Sequence, residues 1–332
     1  MRSSSEVSWL LDDVEMFATV TRPEGDGPFP AVVFVAGSGP TDRDWCSPLL
    51  PGSNGSGRLL AEALADAGIA SLRYDKRASG PHVRENLPKL IGKLSMASHL
   101  DELAAAVRTL AAEDFVDASR IAGLGNSEGT LHVLHYATSA HVPPFTGVVL
   151  AAPPGRPVGE VLLTQLALQT AQLPDGEEVM ALVRAAADRY AAGGQMDPDP
   201  ALPEGVRMVL AGFDTPANLP FARELWRESA SDLLPQLDIP ALVVIGARDL
   251  QVDAHADGDR LRRVAEEHRA ATGTPDVTFA FPPDANHVLK HDTRTPAEVA
   301  ASPGNGYNDD GTVLDPESLT VILTWLRSLF RI

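Results

Sequence analysis

Apolar positions along the chain follow two rhythms. Six short runs, residues 31–36, 70–74, 120–124, 148–152, 241–245 and 277–281, are rich in β-branched residues and apolar without alternation. Such runs predict strands covered on both faces, as in a parallel sheet. Between them, apolar residues recur three and four apart over residues 59–67, 100–112, 254–271 and 319–330, so that Leu100, Leu103, Val107 and Leu110 share one helical face. Strand, helix, strand predicts right-handed crossovers and a doubly wound, mostly parallel α/β sheet. Ahead of it, residues 7–22 alternate loosely around Asp12 and Asp13, which predicts a β-hairpin at the sheet edge.

The rhythm fails over residues 153–237, where helical runs at 158–172, 177–192 and 219–234 occur without a strand. We read this as a helical cap inserted into a core formed by residues 1–152 and 238–332. Residues 193–205 (GGQMDPDPALPEG) form a loop within it, and residues 291–316, with Asn308-Asp309-Asp310-Gly311, form another in the core. The chain has no internal repeat.

The run at 120–124 leads straight into Gly125-Asn126-Ser127-Glu128-Gly129 and then the apolar helical start Thr130-Leu131-His132-Val133-Leu134. A serine on so sharp a strand-to-helix turn sits in strained backbone, and glycines two before and two after give the strand and helix room to approach. The same glycines could simply close a turn capped by Ser127. Gly123, Gly125 and Gly129 also approach a dinucleotide-binding G-x-G-x-x-G, but the third glycine comes one residue late, with Glu128 in its place.

Residues downstream favour the nucleophile. A serine hydroxyl needs a base to take its proton and a carboxylate to orient that base. Asp249 lies just past the run at 241–245, and His287 just past the one at 277–281, giving the order Ser, Asp, His. Asp253 and Asp257 are rival acids and His291 a rival base, all three expected to be solvated. An oxyanion needs backbone donors. The N–H of Glu128 is one candidate, and that of Ser38, in the Gly37-Ser38-Gly39-Pro40 segment after the first core run, is the other. Alone, that segment reads equally well as a Gly-Pro turn.

Charge narrows the partners. With 27 Lys plus Arg against 45 Asp plus Glu, the formal net charge of −18 disfavours nucleic acid and anionic membranes as partners. A single cysteine, Cys46, excludes an intrachain disulfide and a thiolate metal site, and fits a reducing compartment. The first ten residues lack the apolar stretch of a signal peptide, and no run is long and apolar enough to span a membrane. A cytoplasmic protein is expected. Acyl transfer needs no cofactor. Glu128, His132 and His135 share a helical face that could geometrically hold a metal, but no H-E-x-x-H accompanies them and none is expected. Cys46, beside Trp45, reads as a packed small hydrophobe.

The segments GSGPTDRD (Gly37 to Asp44), SPLLPG (Ser47 to Gly52), RYDKR (Arg73 to Arg77) and GNSEG (Gly125 to Gly129) resemble those of the α/β-hydrolases, and within them a bacterial carboxylesterase-like subgroup. The likeness runs from about Ala31 to the end. It implies Ser127 as nucleophile, Asp249 as acid, His287 as base, and Ser38 and Glu128 as oxyanion donors. The chain departs from the pattern at Ala36, where many members carry His, at Ala78-Ser79-Gly80 and at Trp45-Cys46. Asp75, Lys76 and Arg77 read as charges that hold loops. The expected activity is hydrolysis of a small-molecule ester substrate through an acyl-enzyme, with Leu162, Leu163, Leu166 and Leu168 of the cap roofing the site for small or medium acyl or aryl esters. A serine peptidase, a thioesterase and an acyltransferase or cyclase would share the same three residues, whereas a non-catalytic ligand receptor would have lost them. The oligomeric state is left open.

Overall fold

The computed structural model describes residues 2–171, 173–273 and 276–332. Gln172, the expected end of one cap helix, lies outside the described residues, as does Met1, where the expected first core segment begins. β1 (Ser3–Leu11) and β2 (Val14–Arg22) form the expected edge hairpin, paired antiparallel from Ser3 to Arg22 across the turn at Asp12-Asp13. It starts earlier than expected because Ser3 to Glu6 are exposed edge residues and carry little apolar signal.

β3 (Phe29–Val35), α1 (Ser56–Asp66), β4 (Ala70–Tyr74), α2 (Val83–Leu90), α3 (Met96–Ala111), β5 (Val116–Asn126) and α4 (Glu128–Ala137) follow. After β6 (Val148–Ala151), a helical stretch holds α5 (Val158–Thr170), α6 (Gly176–Ala191), α7 (Glu204–Gly212), α8 (Phe221–Leu225) and α9 (Ala230–Leu233). The chain ends with β7 (Ala241–Val244), α10 (Gly258–Thr272), β8 (Val277–Ala280), α11 (Pro296–Ala301) and α12 (Pro316–Phe330).

The eight strands form one sheet in the order β1-β2-β4-β3-β5-β6-β7-β8, with β1, β2 and β4 pairing antiparallel and every later pair parallel. Alternate residues of each strand feed opposite layers. Ala31, Val33 and Val35 join Leu103, Val107 and Leu110 of α3 and Leu131 and Leu134 of α4. Val32 and Phe34 join Leu60 and Leu64 of α1 and Ile322, Leu326 and Phe330 of α12. Both layers are apolar over the central strands β3, β5, β6 and β7, whereas β2 and β4 carry a buried polar face of Thr19, Thr21, Ser71 and Arg73.

β8 departs from the expected burial on both faces. Thr278 is exposed and its neighbours half-buried, because β8 closes the sheet at its edge. The guanidinium of Arg262 from α10 covers the rings of Phe279 and Phe281 at 5.7 and 4.8 Å.

Residues between β6 and β7 include no strand among those described, as expected. The run at 219–234 is two short helices, α8 and α9, rather than one. These helices build their own core from Leu166, Val183, Tyr190, Leu210 and Trp226, with the Trp226 ring edge-on to Tyr190 and Phe213 at 5.2 and 5.4 Å. Leu162 and Leu163 pack against it too, and Leu168 is 40% exposed, so the four leucines do not act together as a roof. Three helices went unforeseen. α2 is polar and contains Pro88, α7 begins inside the Pro- and Gly-rich loop, and α11 is a six-residue helix started by a capping box between Thr295 and Glu298.

Candidate active site

Ser127 occupies a left-handed backbone conformation, φ 53° and ψ −123°, between β5 and α4. Few non-glycine residues tolerate it. The turn is possible because its flanking residues lack side chains. A Cβ on Gly125 would lie 2.4 Å from the carbonyl oxygen of Gly129, and one on Gly129 would lie 2.4 Å from that of Val35. The bond from Ser127 N–H to Ala151 O, 2.8 Å, ties the turn to the end of β6. Ser127 is half-buried.

Asp249 and His287 come from the loops after β7 and β8. Oδ1 of Asp249 accepts from the N–H groups of Gln251 and Val252 at 2.7 and 3.0 Å, a local turn that aims Oδ2 at His287 Nδ1, 2.7 Å away. Both side chains are buried. With Nδ1 engaged by a carboxylate, Nε2 is the nitrogen left to exchange a proton. These loops can lie so close because residue 246 is glycine: a Cβ there would fall 2.0 Å from Ala285 O. Asn126 then links the two halves, its Nδ2 donating to the backbone carbonyl of His287 at 3.0 Å.

The rivals are occupied elsewhere. Asp253 accepts from His255 and Ala256 N–H in its own turn, and His291 faces Asp315 at 3.3 Å. Asp257 corrects the expectation of a solvated residue. It is fully buried, because Arg156, leading into α5, grips both carboxylate oxygens through its side chain at 2.8 and 3.0 Å. Cys46 is a buried thiol pushed up to about 12 by burial and by Asp42, so it packs and does not attack.

The loop after β3 passes directly beside the serine. A side chain on Gly37 would meet Ser127 Cβ at 3.3 Å, and Ser38 is exposed above it. Lys76, immediately after β4, is buried and donates to Gly37 O and to Glu128 Oε1, each at 2.7 Å. Asp75 holds the far end of the same loop, accepting from the backbone and guanidinium of Arg43 at 2.7 to 2.9 Å. Arg77 reaches Glu102 at 2.8 Å. These three charges do hold loops, as their sequence suggested.

Behind the serine lies a buried polar seam. Burial alone would raise the Glu128 carboxyl, yet Lys76, with His132 at 3.2 Å, holds it well below the ordinary carboxylate range. Burial pushes His132 down to about 4 against the pull of Glu128. Against its own burial, His99 and Arg77 hold Glu102 at about 2. His135 points away to Glu228 at 2.8 Å, so Glu128, His132 and His135 do not converge on a metal position. Among the described residues no group of three acidic, His or Cys side chains is gathered as a metal would require.

Two neighbours escaped sequence reasoning. Lys290, fully buried three residues after His287, donates to Asn54 O, Thr312 Oγ1 and Thr312 O at 2.7, 2.8 and 3.3 Å, and burial lowers it to about 8. Tyr307 stacks on the His287 ring at 6.5 Å and accepts from Gln251 Nε2 at 2.9 Å. Both bind segments far apart along the chain, and no local pattern marks either.

Residues 32–302 match the family described as the alpha/beta hydrolase family. The esterase EstD of Thermotoga maritima is 30% identical over 271 residues, covering 81% of this chain and 57% of that protein, so the chain spans little more than half of that relative's length. Among solved structures, a Pyrococcus furiosus esterase aligns over 98% of this chain and 91% of its own, with a TM-score of 0.55 at 17% identity. The esterase domain of a Rhodothermus marinus protein covers 98% of both chains, with a TM-score of 0.53 at 17% identity. At such identities the structural likeness is one of fold.

Proposed function

The chain belongs to the alpha/beta hydrolase family, and from that premise we propose that it is a serine hydrolase cleaving carboxylic esters through Ser127, His287 and Asp249. His287 Nε2 takes the proton of the Ser127 hydroxyl as its oxygen attacks the ester carbonyl. The N–H groups of Ser38 and Glu128 receive the oxyanion. The imidazolium, balanced by Asp249, passes its proton to the departing alcohol, and water then releases the acid by the same steps in reverse order. Residues 153–237 serve as the cap over the site in this reading, and the lone buried Cys46 fits a cytoplasmic setting.

The observation that carries the proposal is the bond between Asn126 and the His287 carbonyl, which joins the strained serine turn to the loop whose histidine is paired with Asp249. Ester cleavage is preferred over amide cleavage because the curated relative is an esterase. The test is a series of p-nitrophenyl esters of rising chain length beside aminoacyl anilides, with Ser127→Ala as control. Turnover of esters, its loss in the variant, and a fluorophosphonate adduct on Ser127 are expected. Preference for anilides, or an adduct on another serine, would overturn the assignment.

A further inference from the structure

We propose that Lys76 is the positioning residue of the oxyanion site, one buried ammonium setting both of its backbone donors; this rests on the reading above in which Ser38 and Glu128 supply them. A trans peptide holds its C=O and its N–H in opposite directions. Lys76 Nζ grips the carbonyl of Gly37, and the N–H of that same peptide unit belongs to Ser38. Drawing the carbonyl inward to Lys76 therefore turns the Ser38 N–H outward, on the loop that touches Ser127. A charged partner on the carbonyl also polarises the peptide and strengthens its N–H as a donor.

The second hydrogen bond acts on the other donor. Glu128 is the first residue of α4, and Lys76 holds its carboxylate at 2.7 Å, anchoring the residue whose N–H follows the nucleophile. One side chain thus fixes the separation between two donors that come from loops about 90 residues apart. Asp75 clamps the other end of the first loop through Arg43, so consecutive residues after β4 hold it at both ends. Stability does not explain the arrangement. A buried Lys–Glu pair is often no better than apolar groups of the same size, because desolvation offsets the attraction. Geometry does explain it, since one buried ammonium reaches an acceptor on each of the two loops at 2.7 Å.

Lys76→Met with Glu128→Gln removes the charge pair while leaving His132 a partner and both backbone N–H groups in place. We expect kcat to fall about 10- to 100-fold, below the loss for deleting a donor outright, with KM changed less than about 3-fold. Affinity for a trifluoromethyl ketone, which adds to the serine as an oxyanion, should fall in parallel with kcat/KM. A side chain with a merely structural role would not move that parallel. Lys76→Gln with Glu128→Gln, which keeps a neutral donor for Gly37 O and strands no buried charge, should fall between the Lys76→Met double variant and the parent, and it provides the reading should that variant not fold. Parental kcat and ketone affinity in either folded variant would overturn the proposal. Fluorophosphonate labelling separates the two claims. A Ser127 adduct on the parent, with unchanged kinetics in the variants, sinks the role of Lys76 alone, whereas labelling elsewhere sinks the hydrolase reading beneath it.

Discussion

Gly129→Ala is the sharpest perturbation of the serine turn. The new methyl carbon would stand 2.4 Å from Val35 O, 2.7 Å from Ala36 O and 2.9 Å from Val35 C, whereas ordinary contact begins near 3.4 Å. Every obstacle is backbone, so no rotamer relieves the clash, and β3 and α4 must part by about 1 Å. Alanine gains at most about 1 kcal/mol of helix propensity over glycine, and less in the first turn. Overpacking of this kind costs about 1–3 kcal/mol, so the net change should be a loss of about 1–2 kcal/mol and a Tm lower by a few degrees. The effect on turnover should be larger. Val35 and Ala36 lead directly into Gly37 and Ser38, and a displacement of about 1 Å at a reacting centre costs on the order of 100-fold in rate. The assay is thermal unfolding beside p-nitrophenyl ester turnover, with Gly205→Ala as control. Gly205 is likewise the second residue of its helix, α7, but meets nothing within 4 Å, so its alanine should stabilise slightly and leave the rate unchanged. A Gly129→Ala protein with parental rate and Tm would refute the claim that the turn depends on that contact.

Two further outcomes follow from the buried charges. His132, about 4 in the folded protein against 6.5 unfolded, stays neutral where the unfolded chain takes up a proton, so stability should fall by about 3 kcal/mol as pH drops from 6.5 to 4. The depressed carboxyl of Glu102 acts in the same direction from 4.5 down to about 2. Urea unfolding at pH 7 and pH 4.5 reads this, and His132→Gln should flatten the upper part of the dependence; an equal slope in parent and variant would contradict a neutral buried imidazole. Arg156→Met strands the fully buried Asp257 charge and should cost about 3–5 kcal/mol in urea unfolding, largely recovered by adding Asp257→Asn. No recovery would mean that Arg156 stabilises by packing and not by charge.

The strand runs, the edge hairpin and the serine turn were legible because each is local: alternation, β-branching and two glycines four residues apart state a backbone geometry without reference to the rest of the chain. Asp249 and His287 were legible as candidates because strand ends in an α/β sheet present their following loops at one rim. Lys76 reads from the sequence as a holder of loops, but no local pattern names its two acceptors, since Gly37 and Glu128 lie at the ends of other strands. Lys290, Tyr307, the burial of Asp257 and the packing of Leu162, Leu163 and Leu166 among the helices between β6 and β7 were beyond reach for the same cause. Local periodicity determines which stretches become strands and helices and which face of each is apolar. The order β1-β2-β4-β3-β5-β6-β7-β8, and with it which loops meet, is decided only when those faces compete for one another across tens to hundreds of residues, a contest settled by packing in three dimensions and written in no single stretch of chain.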